Sequence, residues 1–306
     1  MEKISVLMIT YRQEDVVERT LDSLLKQKEY IYEICINDDC SPDGTWEILQ
    51  DYAKRYPGLV KPVRNEPNVG IFRNTELSWE RASGDLIYEI AGDDVCPDGY
   101  FEKVQNFISE NNLDCRNEAF CIYSDYMQIE PDGHSITYRN NLVEKKGNAV
   151  KLAIRQLISA RSATYSRKVL QQFVCVSHGR DFSVEGAQSI QVQAFAEKNY
   201  YLPTLGSIYY SGIGISAHIP DKERINSAIL VFDRMLEFLE DRNLRPDSKD
   251  IAFMSFMKEY RYWGYEKGAK HLLLMLKYYL LSIDPSLGLA GLQLNRLLFI
   301  LRKKRS

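Results

Sequence analysis

The chain has 306 residues, 45% hydrophobic and 26% charged, a balance that excludes the disordered, collagen-like and disulfide-stapled classes. Its formal net charge of −3 lacks the basic excess of most nucleic-acid-binding domains, so no nucleic-acid partner is expected. One large domain, or one domain with an appendage, suits the length, because single cores stop growing at about 250–300 residues.

The first stretch, MEKISVLMITYRQED, has neither the apolar run nor the small-residue cleavage site of a secretory signal, and a cytoplasmic protein is expected. Within it Ile4–Ile9 reads as a strand, and Val17, Leu21, Leu24 and Leu25 then repeat at helical spacing within Glu14–Gln27. The pattern recurs. Ile31–Ile36 is a strand, and Thr45–Tyr56 a helix opened by Asp43 or Thr45. Leu59–Arg64 is a third strand, Phe72–Ala82 a helix and Leu86–Ile90 a fourth strand. Such alternation predicts an α/β domain with a largely parallel sheet.

Ligands of such sheets bind beyond the carboxyl ends of the strands, and polar clusters fall there: Thr10, Tyr11 and Arg12; Asn37, Asp38 and Asp39; Gly92, Asp93 and Asp94. Four acids meeting at one sheet edge repel one another unless a cation or a donor-rich ligand compensates them. Between Cys115 and Tyr210 short strands (Ala119–Met127, Ser162–Ser166) alternate with helices. After Asp221 the pattern turns helical, through Ile225–Leu239, Ile251–Tyr262 and Ala269–Leu281, so a boundary is expected near residue 220, with residues 221–306 as a helical appendage. Six cysteines without C-x-x-C or paired histidine spacing read as reduced thiols rather than a zinc site.

Four blocks carry a family resemblance: SVLMITYRQEDVVERTLDSLLKQ at Ser5–Gln27, INDDCSPDGTWEIL at Ile36–Leu49, NEPNVGIFRN at Asn65–Asn74 and SGDLIYEIAGDDVCPDGYF at Ser83–Phe101. In this order the chain resembles family 2 glycosyltransferases, inverting enzymes that use nucleotide-diphospho-sugars. The resemblance covers about residues 1–215. It implies a GT-A fold, a Rossmann-like, mostly parallel sheet flanked by helices, here with the helical extension added. It also implies a nucleotide site at Thr10, Tyr11, Arg12, Asp38 and Asp39, with Asp39 on the base or ribose, and at Gly70, Arg73 and Asn74, where the arginine fork suits a diphosphate.

Asp93 and Asp94 stand at the family's DXD metal motif, implying Mn²⁺ or Mg²⁺ bound by hard carboxylate oxygens, with Asp94 the direct ligand. The motif reads Ala91-Gly92-Asp93-Asp94, without the upstream acid of many members. The family's catalytic base comes from a Glu-Asp pair upstream of a Y-L-P strand. Tyr201-Leu202-Pro203 fits that strand, and Val184-Glu185-Gly186 stands where the pair belongs, making Glu185 the expected base and Asp181 the fallback. His178 and His218, nearby in sequence, are expected to be incidental. Tyr209–Ser216 (YYSGIGIS) occupies the place of the family's flexible, donor-ordered loop.

The implied reaction moves a sugar, from a UDP-sugar by preference, onto a glycan or lipid-linked saccharide, as in bacterial surface polysaccharide synthesis. Two alternatives stay open: an inactive binding or scaffold subunit, in keeping with the broken Glu-Asp pair, and a nucleotidyltransferase, although ITYRQED lacks the glycine-rich phosphate loop. The chain closes with Leu287–Leu301, where Arg296 is the only charge, and then Arg302, Lys303, Lys304 and Arg305. This apolar helix with a cationic end suits peripheral contact with the inner face of the cell membrane, or packing on the catalytic domain or on a second copy in a homodimer.

Overall fold

A computed structural model describes residues 1–146, 148–176, 185–214, 221–244, 246–266 and 269–284. Its first half runs β1 (Ile4–Thr10), α1 (Val17–Leu25), β2 (Ile31–Asp38), α2 (Thr45–Arg55), β3 (Val60–Arg64), α3 (Ile71–Trp79), β4 (Leu86–Ala91) and α4 (Tyr100–Glu110); the first seven are the elements expected from the sequence, with β1, β2 and β4 one or two residues longer and α1, α2 and β3 shorter. α1 starts later than its periodicity predicts because the Val16 and Val17 N–H groups close turns on the Gln13 carbonyl. Asp43 accepts from the Thr45 N–H at 3.2 Å, which satisfies a free donor at the start of α2.

The second half comprises β5 (Phe120–Ile129), β6 (Ser135–Tyr138), α5 (Leu142–Lys146), α6 (Ala149–Ile154), β7 (Ala163–Ser166), α7 (Arg167–Leu170), α8 (Glu185–Phe195), β8 (Lys198–Tyr210), α9 (Asp221–Asp241), α10 (Ser248–Glu266) and α11 (Ala269–Leu281). The strands form one mixed sheet in the order β3-β2-β1-β4-β7-β5-β6, with β8 on the other side of β5. β1 runs parallel to β2 and β4, β2 to β3, and β5 to β8; β7 is antiparallel to β4 and β5.

Alternation along the central strands feeds two cores. Ile4, Val6 and Met8 of β1, Ile34 and Ile36 of β2, and Leu86, Tyr88 and Ile90 of β4 enter one with Leu21 and Leu24 of α1. Leu7, Cys35 and Ile87 enter the other with Trp79 and Val169. Apolar residues on both faces explain why these segments read as continuous hydrophobic runs rather than alternating ones.

Two strands are longer or newer than the sequence predicts. β8 extends well beyond Tyr201-Leu202-Pro203, and its register with β5 jumps from Ser124↔Leu202 to Asp125↔Leu205. Pro203 cannot donate to a ladder, so the bulge carries it past the pairing without ending the strand. β6 is exposed along its whole length, which removes the apolar pattern that would have marked it.

A third core joins α9, α10 and α11 to the α/β part: Phe232, Met235, Phe253, Phe256 and Met275 pack with Ile154 of α6 and with Ala187 and Ile190 of α8. Buried charges cross the same junction. Arg155, 1% exposed, donates from Nε to Asp250 Oδ1 at 2.8 Å and from Nη1 to the Ser282 carbonyl at 2.9 Å. Lys151 reaches Asp247 at 2.7 Å and also contacts Asp284.

Candidate active site at the carboxyl ends of the strands

The loops after β1, β2 and β4 are stitched together by backbone bonds: the Asp39 N–H donates to the Thr10 carbonyl at 2.9 Å and the Gly92 N–H to the Ile9 carbonyl at 3.0 Å. Arg12 and Cys40 adopt positive φ of 54° and 60° just past β1 and β2, a conformation costly for residues with a Cβ and characteristic of sites whose surroundings over-determine the backbone.

The two acids after β2 have different work. Asp38, fully buried, accepts from Thr10 Oγ1 at 3.1 Å and the Ser41 N–H at 3.0 Å, and lies 3.7 Å from Arg64 Nε. It ties the first two loops together. Asp39 organises the loop after β3, accepting at 2.8 Å from both the Val69 and Gly70 N–H groups and at 3.0 Å from Asn65 Nδ2. Asn65 also donates to Asn74 Oδ1 at 2.8 Å, and Asn74 donates to the Asn37 carbonyl at 3.0 Å.

A cavity of about 860 Å³ opens here, its walls including Thr10, Tyr11, Asp39, Asn74, Asp93 and Asp94. Six residues singled out from the sequence therefore share one space, although they come from the ends of three strands and from helix α3. Arg12, Asp38 and Gly70 are not among its lining residues, and Arg73 turns to Glu76 Oε2 at 3.4 Å and Cys175 Sγ at 3.3 Å. Glu185 is the first residue of α8, and the next residue, Gly186, lines the cavity. Asp181, His178, His218 and the Leu287–Leu301 segment with its basic end lie outside the described residues.

Asp94 is 4% exposed. Its Oδ1 is buried with no hydrogen-bond partner among the described residues, and its Oδ2 faces Arg161 Nη1 at 3.5 Å. Burial pushes its carboxyl up to about 7, with Arg161 opposing the rise and Asp93 adding to it. Burial raises the neighbouring Asp93 as well. Thr20 of α1 holds the turn from beneath, donating to the Gly92 and Asp94 carbonyls at 2.8 and 2.6 Å.

Two glycines let the chain approach this pair. A Cβ on Gly92 would collide with Gln13 Oε1 and come within 2.7 Å of Thr10 Cγ2; one on Gly214, where φ is +77°, would strike the Asp93 carboxylate. Gly214, in the described start of the loop after β8, thus packs directly against Asp93.

An unpartnered buried carboxylate oxygen beside a second carboxylate fits a hard divalent cation. The buried, unpartnered Oε1 of Gln13 on the same wall is a further oxygen. Among the described residues there is no cluster of three or more His, Cys, Asp or Glu able to hold an ion alone, so such a cation would take its remaining ligands from phosphate and water.

Sequence reasoning missed several residues. Arg19 of α1 donates to the Asp93 carbonyl at 2.7 Å and lies 3.8 Å from the Tyr210 ring centre. Arg161 lies 4.2 Å from that of Tyr209. Tyr126 and Tyr138 stack 4.7 Å apart, and Arg261 of α10 lines the cavity. Several lie inside segments whose secondary structure was legible, but what brings them to the site is tertiary packing between segments far apart in the chain.

A Rossmann-like mixed sheet with helices on its faces and an acid pair at the end of its fourth strand defines the GT-A class. Residues 5–173, more than half of the chain, match the model described as Glycosyl transferase family 2, and the chain belongs to that family. Over 178 residues it is 32% identical to the poly(ribitol-phosphate) beta-N-acetylglucosaminyltransferase TarP of Staphylococcus aureus, covering 56% of this chain and 49% of that protein. Over 130 residues it is 36% identical to the putative teichuronic acid biosynthesis glycosyltransferase TuaG of Bacillus subtilis, covering 42% of this chain and 49% of that one. The structure of S. aureus TarS 1–349 in complex with UDP-GlcNAc shares the fold at a TM-score of 0.59 with 15% identity, covering 95% of this chain and 88% of that. The chain spans about half or less of the length of the curated relatives it matches.

Proposed function

We propose that the protein is an inverting, metal-dependent glycosyltransferase that moves a sugar from a nucleotide-diphospho-sugar, a UDP-sugar by preference, onto a glycan or lipid-linked saccharide acceptor in bacterial surface polymer synthesis. The observation that carries this reading is the buried acid pair on the cavity wall, with one Asp94 oxygen lacking a hydrogen-bond partner among the described residues. Mn²⁺ or Mg²⁺ held by Asp94 and Asp93 would offset the negative charge of the departing nucleoside diphosphate.

The chain's own groups would do the rest. Asp39 and the loop it orders receive the nucleotide, its base or ribose donating to carboxylate lone pairs that Val69 and Gly70 leave open. Arg161, already drawn toward Asp94, lies on the same wall as the acids and can meet the diphosphate with its fork of donors. Glu185, at the start of α8, takes the proton from the acceptor hydroxyl as its oxygen attacks the anomeric carbon and the bond to the diphosphate breaks. The match of names among relatives, TarP and TuaG included, supports a polymer acceptor. No helix among the described residues is long and apolar enough to cross a membrane, which agrees with a cytoplasmic enzyme that meets its acceptor at the inner membrane face.

Transfer or hydrolysis from a panel of nucleotide-sugars, with and without Mn²⁺, tests the reading. Metal-dependent turnover that Asp94→Ala lowers at least a hundredfold is expected, the scale of losing one preorganised electrostatic group. Tight nucleotide binding with no turnover across donors and acceptors would instead identify an inactive binding subunit.

A further inference from the structure

The cavity takes its charged lining residues from separate stretches of the chain. Its acids, Asp39, Asp93 and Asp94, all come from strand ends β2 and β4. From Tyr126 onward its described lining residues include three arginines, Arg139, Arg161 and Arg261, and no Asp or Glu. Arg161 is engaged with Asp94. Arg139, just past β6, and Arg261, on α10, make no ion pair with a described carboxylate.

The same cavity is lined by a stacked aromatic pair. Tyr126 and Tyr138 face each other across β5 and β6, their rings 9° from parallel and 4.7 Å apart, and Tyr138 keeps 39% of its surface exposed. A flat ring face beside guanidinium groups matches a sugar ring, whose C–H faces pack on the aromatic surface while its charged substituents reach the arginines. At about 860 Å³ the cavity is near the upper end of the roughly 300–1,000 Å³ that encloses a single small ligand, which leaves room for an acceptor beside a donor.

We propose that Arg139, Arg261 and Tyr138, which line the same cavity, form an acceptor subsite for an anionic saccharide, one bearing phosphate or carboxylate groups, with Arg139 and Arg261 binding the anions and Tyr138 stacking on the sugar. The proposal rests on the glycosyltransferase reading for its word "acceptor". Guanidinium forks pair with either anion in two-point geometry, so phosphodiester-linked and uronic-acid chains share the chemistry and are separated by experiment. The two arginines come from different parts of the chain, one from the α/β sheet and one from the helical region, so anion binding would depend on the docking of α10 against the rest.

The test uses the full chain saturated with UDP and Mn²⁺, titrated calorimetrically with three oligomers of equal length: a polyol-phosphate, a polyuronate and a neutral glucan. The expected result is binding of at least one anionic oligomer ten times or more tighter than the glucan and weakened by added salt. Arg139→Ala and Arg261→Ala should each weaken it about five- to tenfold, with Lys in their place recovering part of the loss and UDP affinity unchanged throughout. Whichever anionic oligomer binds better identifies the source of the charge. Equal binding of the glucan, binding of none of the three, or an Arg139→Ala, Arg261→Ala double variant that binds the anionic oligomer as well as the parent overturns the proposal. Failure of the parent protein to bind UDP would count against the glycosyltransferase reading separately; the same titrations without UDP still judge the anion subsite.

Discussion

Replacing Arg155 by Met probes what holds the helical region to the α/β part. The substitution preserves most of the side-chain volume and removes a buried cation with two hydrogen bonds, to Asp250 Oδ1 at 2.8 Å and to the Ser282 carbonyl at 2.9 Å. Asp250 is itself 3% exposed, so the change strands a carboxylate in the interior. Breaking one side of a buried pair costs about 3–5 kcal/mol. Lys151, 3.8 Å from Asp250, compensates part of the charge and places the expected loss near the bottom of that range. At about 2 °C per kcal/mol for a chain of this size, the melting temperature should fall by about 5–7 °C in a thermal scan. The companion Arg155→Met, Asp250→Leu should recover most of the loss, because an apolar pair of similar volume is about as stable as a buried ion pair. A single variant that melts within about 1 °C of the parent, or a double variant less stable than the single, refutes the claim that this pair bears on the junction.

Glu33 offers a pH test. Lys61 at 2.7 Å and the hydroxyls of Ser5 and Ser83 at 2.7 Å all donate to its carboxylate, and these bonds outweigh the desolvation that opposes them, holding it down at about 2 against an ordinary 4.5. Because the folded-state value is depressed, its stabilisation is complete above about pH 4.5 and is lost as pH falls toward 2. Glu33→Gln should therefore cost about 2–3 kcal/mol at pH 7, measured by urea unfolding, and progressively less below pH 4; a cost independent of pH contradicts the assignment. Asp39→Ala should weaken nucleotide binding by freeing the Val69 and Gly70 N–H groups, whereas Glu185→Ala should leave binding intact and slow transfer. Equal loss of nucleotide affinity in both variants, measured by titration, would count against this division of roles.

Much of the first half of the molecule was legible from the residues. Short β-branched and aliphatic runs at Ile4–Ile9, Ile31–Ile36 and Leu86–Ile90 read as strands, and their alternation with helices placed the polar clusters that follow them at one edge of a parallel sheet. Short-range chemistry is enough for that, because strand burial, turn formation and the carboxyl-end rule depend on neighbours in sequence. The C-terminal helices were legible for the same reason, their apolar residues repeating at helical spacing in Phe232, Leu236 and Leu239.

The second half was less so. β6 is exposed and carries no buried stripe, and β8 passes through a proline by means of a bulge that depends on its partner β5. Above all, the tertiary structure alone decided which charges meet. Asp38 and Asp39 read alike in sequence, yet one is bound by Thr10 and Ser41 and the other by the Val69 and Gly70 backbone. Arg161 reaches Asp94, and Arg261 reaches the cavity from a helix that looked like an appendage. A local pattern fixes how a segment folds; the burial that lifts Asp94 to about 7, and the cations set against it, arise from contacts between segments far apart in the chain, which no spacing along the sequence encodes.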